Sequence, residues 1–191
     1  MGHREDLLDG AVRCLYEKGY ARTTARDIVA ASGTNLGSIG YHYGSTQALL
    51  NAALGKAIDD WGGQLAQALT ASPGAQLTGL ARFEAYWTNV LDTMAAHRPV
   101  LMASFDAVLQ MDHAPELHRM LAEGMQDARK LWAQVFHQID AAVEREKAHQ
   151  LGSFYQALLS GLIAQWLIDP EHAPSGRDLA EALRMIAADL S

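Results

Sequence analysis

Apolar side chains recur every three or four residues along nearly the whole chain, and that spacing dictates helices. Leu80, Phe83, Trp87, Leu91 and Met94 step by 3, 4, 4 and 3 and share one helix face. Leu117, Leu121, Ala128, Trp132, Val135 and Ile139 mark a second stripe, and Leu179, Leu183, Ile186 and Leu190 a third. The segment 150–168 is apolar on more than one side. No stretch alternates with period two for long enough to mark a strand. The 33 alanines and 25 leucines favour helix by propensity as well. The expected fold is all-α, with about nine helices. The five prolines, at 73, 99, 115, 170 and 174, read as punctuation between them. On that reading a short helix with Leu101, Met102, Phe105, Val108 and Leu109 begins after Pro99.

Several function classes drop out. A net charge of −7 excludes a generally basic coat for nucleic acid. The lone cysteine, Cys14, excludes an internal disulfide and a Cys-rich zinc module, and reads as a buried small hydrophobe. No uninterrupted apolar run approaches the roughly 18 residues of a membrane span, and the first residues are charged, unlike a signal peptide. The expectation is a cytoplasmic protein with no membrane partner. There is no Gly-rich phosphate loop, no nucleophile elbow and no His-Glu-x-x-His. His113 and His118 are five apart, not the four that puts two ligands on one helix face. Asp59-Asp60 and Glu144–Lys147 read as solvated helix surface. Neither a catalytic residue, a metal nor a cofactor is expected, and the chain does not read as an enzyme.

The charge is uneven. Residues 1–50 hold five basic and five acidic side chains, so the whole excess of acid lies beyond them. Within this neutral third, a segment over 4–18 carries Leu8, Ala11, Val12 and Leu15 and ends at Gly19. Thr23 or Thr24 then caps a short helix, 24–31, which turns at Ser32-Gly33-Thr34 into a second, 35–42. Ser45 caps a long helix running to about 69. Two short helices joined by a Gly-containing turn form a helix-turn-helix. Ile28, Val29 and Ile39 pack them on the first helix through Leu8, Val12 and Leu15. That leaves Thr34, Asn35, Gly37, Ser38, Tyr41 and His42 at the surface, short or polar groups suited to a DNA groove and its phosphates. An ordinary corner of a helical protein has the same spacing.

The run from Thr23 to Leu50, TTARDIVAASGTNLGSIGYHYGSTQALL, resembles the tetracycline-repressor (TetR) family. It has the Thr-Thr start, the acidic-aliphatic pair Asp27-Ile28, the Gly33 turn, and Gly37 with Ile39 in the recognition helix. Tyr41-His42-Tyr43 and the Ser45…Leu49-Leu50 opening of the fourth helix complete it. Gly40 stands where the family often has Tyr, and Thr46 where it has Lys. The resemblance implies a helix-turn-helix domain over 1–48 and a larger helical ligand-binding and dimerisation domain over 49–191. It implies Arg26, Thr34, Asn35, Leu36, Gly37 and Ser38 at or near base edges. Thr24, Tyr41, His42 and Thr46 would hold phosphates, and Tyr43 would pack beneath. The partners implied are a palindromic double-stranded operator, a second copy of the chain and a small-molecule effector, so that the expected function is ligand-controlled repression.

One recognition helix reads only a few base pairs, so a homodimer is required. The over-apolar segment 150–168, with 177–190, is the expected interface, through Leu151, Tyr155, Leu158, Leu162, Leu179, Leu183 and Ile186. Gly161 would allow close helix approach there. A hydrophobic or aromatic effector is expected beside Trp87, Met102, Phe105 and Trp132. Two other readings stay open at this point: a helical small-molecule binder that ignores DNA, and an all-α enzyme without a recognisable motif.

Overall fold

The computed structural model describes residues 3–71, 77, 79–111 and 114–190. Pro73 and His113 lie outside them. The helices are α1 (His3–Lys18), α2 (Ala25–Ser32), α3 (Leu36–Tyr43), α4 (Thr46–Ala71), α5 (Gly79–Gln110), α6 (Pro115–His137), α7 (Arg145–Ile168) and α8 (Gly176–Asp189). Among the described residues there is no strand. Two compact units result, Met1–Gly62 with His97–Leu121, and Gly63–Ala96 with Ala122–Ser191.

Among the described residues eight helices stand where about nine were expected, and Pro99 is the reason. Pro99 sits inside α5 rather than before a new helix. A proline in mid-helix forfeits one backbone hydrogen bond and costs about 3 kcal/mol. Val100, Ala103 and Ala107, all buried just beyond it, offset that cost by packing into the first unit's core. Burial of one large aliphatic side chain contributes roughly 1.5–3 kcal/mol, so tertiary packing overrides the local rule.

The core of the first unit joins Leu7, Ala11, Cys14 and Leu15 of α1 to Ile28 of α2, Ile39 of α3, and Leu49, Leu50, Ala53 and Leu54 of α4. Leu8, Val12 and Val29, expected in this core, pack at its margin. Cys14 is buried, and burial pushes its thiol pKa up. Gly10 sets the spacing of α1 and α2. A Cβ there would stand 2.8 Å from Ser32 Cβ and 3.1 Å from the Ile28 carbonyl oxygen.

The second unit is built around aromatic rings. Phe136 stacks on Tyr155 at 4.2 Å, and Trp87 on Trp132 at 6.1 Å. Tyr86 meets Trp132 edge-on at 5.4 Å, an arrangement favoured by the ring quadrupoles. Gly176 lets the start of α8 press on α5, since a Cβ there would lie 2.6 Å from the Glu84 carbonyl oxygen. α7 is long enough, and at mean hydropathy 1.3 apolar enough, to cross a membrane by length and composition. Its residues Tyr155, Leu159, Leu162 and Ile163 are instead buried in this unit's interior.

Candidate nucleic-acid interface

The two threonines at the start of α2 have different work. Thr23 is buried, and its hydroxyl reaches the carbonyl oxygens of Gly19 at 2.8 Å and Cys14 at 3.2 Å, fastening α2 to the end of α1. Thr24 is the N-cap. Its Oγ1 accepts the Asp27 N–H at 3.3 Å, while Asp27 Oδ2 accepts the Thr24 N–H at 2.9 Å and its hydroxyl at 2.7 Å. Lys18 Nζ lies 2.5 Å from Asp27 Oδ1. Hydrogen bonds from Lys18 first, and then Thr24, pull the Asp27 carboxyl down to about 2. Arg13 donates to the Ala31 carbonyl at the other end of α2.

Gly33 makes the turn. Its φ of 67° is left-handed, a conformation that costs an L side chain strain, and it ends α2 there. Ser32 and Thr34 share a hydroxyl hydrogen bond of 2.7 Å across the turn. Asn35 is the N-cap of α3 rather than its first residue, accepting the Ser38 N–H at 3.1 Å on Oδ1. Ser45 caps α4 in the same way, accepting the Ala48 N–H at 3.0 Å.

α3 is anchored by Ile39, which is buried. The opposite face is open to solvent: Leu36 is 54% exposed, Tyr41 is 85% exposed, and Gly37 and Gly40 lie between them. Each interior glycine costs a helix about 1 kcal/mol relative to alanine. No contact among the described residues requires Gly40, and Gly37 gives room to the Asn35 cap. A Cβ at Gly40 would meet nothing within 4 Å, and at Gly37 only Asn35 Oδ1 at 3.2 Å. The result is a thin backbone edge of two turns, flanked by a tyrosine. Ser38 and His42 are half-buried at its margins, and His42 meets the Tyr41 ring edge-on at 4.8 Å.

The structure brings Thr34, Asn35, Leu36, Gly37, Ser38, Tyr41 and His42 together on or beside α3. Arg26 is exposed on α2, and Thr24 and Thr46 open α2 and α4. Tyr43 donates its hydroxyl to the Arg4 carbonyl at 2.9 Å and carries the Arg4 guanidinium over its ring at 5.6 Å, so it supports the corner from behind. Gln47, Tyr20 and Asn51 form a hydrogen-bonded set that ties the α1–α2 connection to α4. Sequence reasoning did not find that set, because a buried tyrosine and two helix-surface amides leave no local signature.

The other candidates divide between the units. Trp87 and Trp132 are buried together in the aromatic cluster, whereas Met102 and Phe105 lie on the first unit's part of α5, 40% and 38% exposed. Trp132 Nε1 donates to Gln156 at 3.0 Å, and Trp87 Nε1 is buried with no acceptor among the described residues. Tyr155 and Leu162 belong to the second unit's own interior, and Leu151, Leu158, Leu179 and Leu183 are half-buried. Ile186 is 56% exposed, beside Met185. Phe154 and Ile168 on α7, and Leu190 after α8, are also exposed. Gly161 faces open space, and a Cβ there would meet nothing within 4 Å. Among the described residues, no three His, Cys, Asp or Glu side chains converge as a metal site would require.

Residues 7–53 match the model for bacterial regulatory proteins of the tetR family. Residues 78–189, more than half of the chain, match the tetracyclin repressor-like C-terminal domain. The HTH-type transcriptional repressor KstR2 of Rhodococcus jostii (strain RHA1) is 29% identical over 131 residues, 69% of this chain. The chain spans 62% of that repressor's length. Among solved structures, SCO7518 of Streptomyces coelicolor A3(2) superposes with a TM-score of 0.71 at 20% identity, over 97% of this chain and 98% of that one. The multidrug binding protein EbrR complexed with ethidium gives 0.70 at 22% identity, over 96% and 98%. At these identities the structural likeness shows the fold. None of these relatives is described as an enzyme. The two family models together cover the helix-turn-helix corner and most of the helical sequence that follows it, and the chain belongs to the TetR family of bacterial transcriptional regulators.

Proposed function

We propose that the chain is a homodimeric repressor that binds a palindromic operator through α3 and leaves it when a hydrophobic or aromatic small molecule binds. The observation that carries the reading is the solvent face of α3. Two exposed glycines, of which Gly40 has no internal neighbour, beside a tyrosine 85% exposed, suit a helix meant to approach another surface closely. A DNA groove is such a surface. Leu36 and the cap residue Asn35 face the bases, and Tyr41, His42, Thr24 and Thr46 hold phosphates. Arg26 places one of the corner's five cations, exposed on α2, on the DNA side of a region whose net charge is zero. Residues 1–48 form the reading head, residues 49–191 receive the ligand and dimerise, and the regulator works in the cytoplasm.

Two copies meet through the exposed faces of α7 and α8, with Phe154, Ile168, Met185 and Ile186 covered by the partner. The effector enters the aromatic cluster of Trp87 and Trp132, where Trp87 Nε1 is a donor still to be paired. KstR2 is a transcriptional repressor, and EbrR is a multidrug binding protein seen with ethidium and with proflavin. Both descriptions are consistent with this reading. Fluorescence anisotropy with duplexes from the gene's own upstream DNA, at a fixed salt concentration, tests it. Specific binding that weakens roughly tenfold or more in Tyr41→Ala is expected. Equal binding by wild type and Tyr41→Ala, with dimers intact, rejects α3 as the reading surface.

A further inference from the structure

In the second unit, α6 and the start of α7 enclose a cleft of about 470 Å³. Its lining includes Arg129, Lys130, Arg145 and His149, with Gln126 and one carboxylate, Glu146. Such a concentration of cations is unexpected, because residues 51–191 carry the whole acidic excess of the chain. Lys130 is paired with Asp127 at 2.7 Å. Neither arginine has a carboxylate within ion-pair distance among the described residues. Among the described residues the Nε–H of Arg129 has no acceptor, and its terminal nitrogen reaches the Met125 sulfur at 3.5 Å. Arg129 is only partly buried and lines the cleft, so its guanidinium is presented there with no carboxylate to neutralise it.

The backbone fixes this arrangement. A Cβ on Gly152 would stand 2.1 Å from the Arg129 carbonyl oxygen, so α7 presses against α6 at Arg129 itself. Arg145 is the first residue of α7. Glu144, the N-cap, gives the helix no side-chain hydrogen bond, and its carboxylate lies 3.2 Å from Lys147. The first-turn N–H groups and the positive end of the helix dipole are thus available beside the two guanidiniums.

We propose that this cleft binds a small oxyanion, a carboxylate or phosphate group of a small-molecule ligand, between Arg129, Arg145 and the first turn of α7. A guanidinium offers two parallel N–H donors to such a group, which gives geometry as well as charge. None of the cleft residues belongs to the aromatic cluster or to the α3 surface, so this site is separate from both. The full-length protein is titrated with sodium phosphate and with sodium citrate, against sodium chloride of equal ionic strength, by calorimetry and thermal melting. A saturable heat and a rise in Tm with at least one of the two are expected. Phosphate alone identifies a phosphate ligand, citrate alone a carboxylate ligand. Arg145→Gln, an exposed substitution, lowers the affinity roughly tenfold or more, while Arg177→Gln on α8 leaves it unchanged. Responses no greater than with chloride, or equal binding by Arg145→Gln and wild type, overturn the proposal.

Discussion

The Tyr16 hydroxyl on α1 lies 2.9 Å from Nδ1 of His97 on α5. The two rings meet edge-on at 6.1 Å, and Trp61 of α4 lies 6.0 Å from the imidazole on another side. Three helices of the first unit are joined at this point, two residues before Pro99. Burial holds the His97 pKa below its ordinary 6.5.

That depression makes the fold acid-sensitive. Between the lowered folded value and 6.5, the unfolded chain binds more protons than the folded one, so stability rises with pH up to 6.5 and then levels. His137, lowered by burial and by the charges of Arg82 and Lys147, acts in the same direction. Urea midpoints measured from pH 5 to pH 8 are expected to fall on the acid side of 6.5, with a shallower fall in His97→Gln. An unchanged slope in His97→Gln removes His97 from the account. Tyr16→Phe is expected to cost about 0.5–1.5 kcal/mol by loss of the hydrogen bond.

Two glycines on neighbouring helices respond in opposite ways. Gly10→Ala places a Cβ 2.8 Å from Ser32 Cβ and forces α1 and α2 apart, at a cost of about 1–3 kcal/mol. Gly40→Ala adds a methyl group to open space and stabilises α3 by about 1 kcal/mol through helix propensity. Chemical denaturation of both variants reads the two signs directly. Destabilisation by Gly40→Ala would mean that the α3 face is covered by the protein itself.

The contrast also shows which features were legible in the sequence. Thr24, Gly33 and Ser45 mark helix ends through their own backbone and side-chain chemistry, so the first four helices could be bounded to within a residue or two. The role of Gly10 could not be read, because a mid-helix glycine at a crossing looks like Gly161, which faces solvent. Pro99 misled for a related reason: the local rule is real, but distant packing decides. Tyr155 and Phe154 are adjacent aromatics in one apolar segment, yet only the first is buried. Periodicity ranks faces only where one side is polar, and this helix is apolar on several sides. The exposed α3 surface was legible because its residues are locally odd, with glycines where a stable helix has none.

The cap of α2 gives a second pH signature, at lower pH. Asp27 has its pKa lowered to about 2 from 3.8 by Lys18 and Thr24, so its contribution is full above 3.8 and is lost as pH falls toward 2. Asp27→Asn is expected to lower Tm at neutral pH and to flatten the acid limb between pH 4 and 2. Thr24→Ala removes the capping hydroxyl and costs about 1 kcal/mol. Melts of the two variants across that range check both, and an acid limb unchanged in Asp27→Asn counts against the capping box as its source.

Burial separates two kinds of substitution on α7 and α8. Leu162 is 1% exposed within its own subunit, so Leu162→Ala opens a cavity and costs about 2–5 kcal/mol without first touching a second copy. Ile186 is 56% exposed, and an aspartate there meets water in the monomer. In a dimer built on the exposed faces of α7 and α8, the same carboxylate is buried without a partner, which is strongly unfavourable. Ile186→Asp is therefore expected to keep its Tm for unfolding of the isolated chain and to sediment as a monomer where wild type sediments as a dimer. On the proposed dimeric reading, operator affinity is expected to fall with it, because two half-sites are no longer read together. A dimer that persists in Ile186→Asp moves the interface elsewhere on the chain.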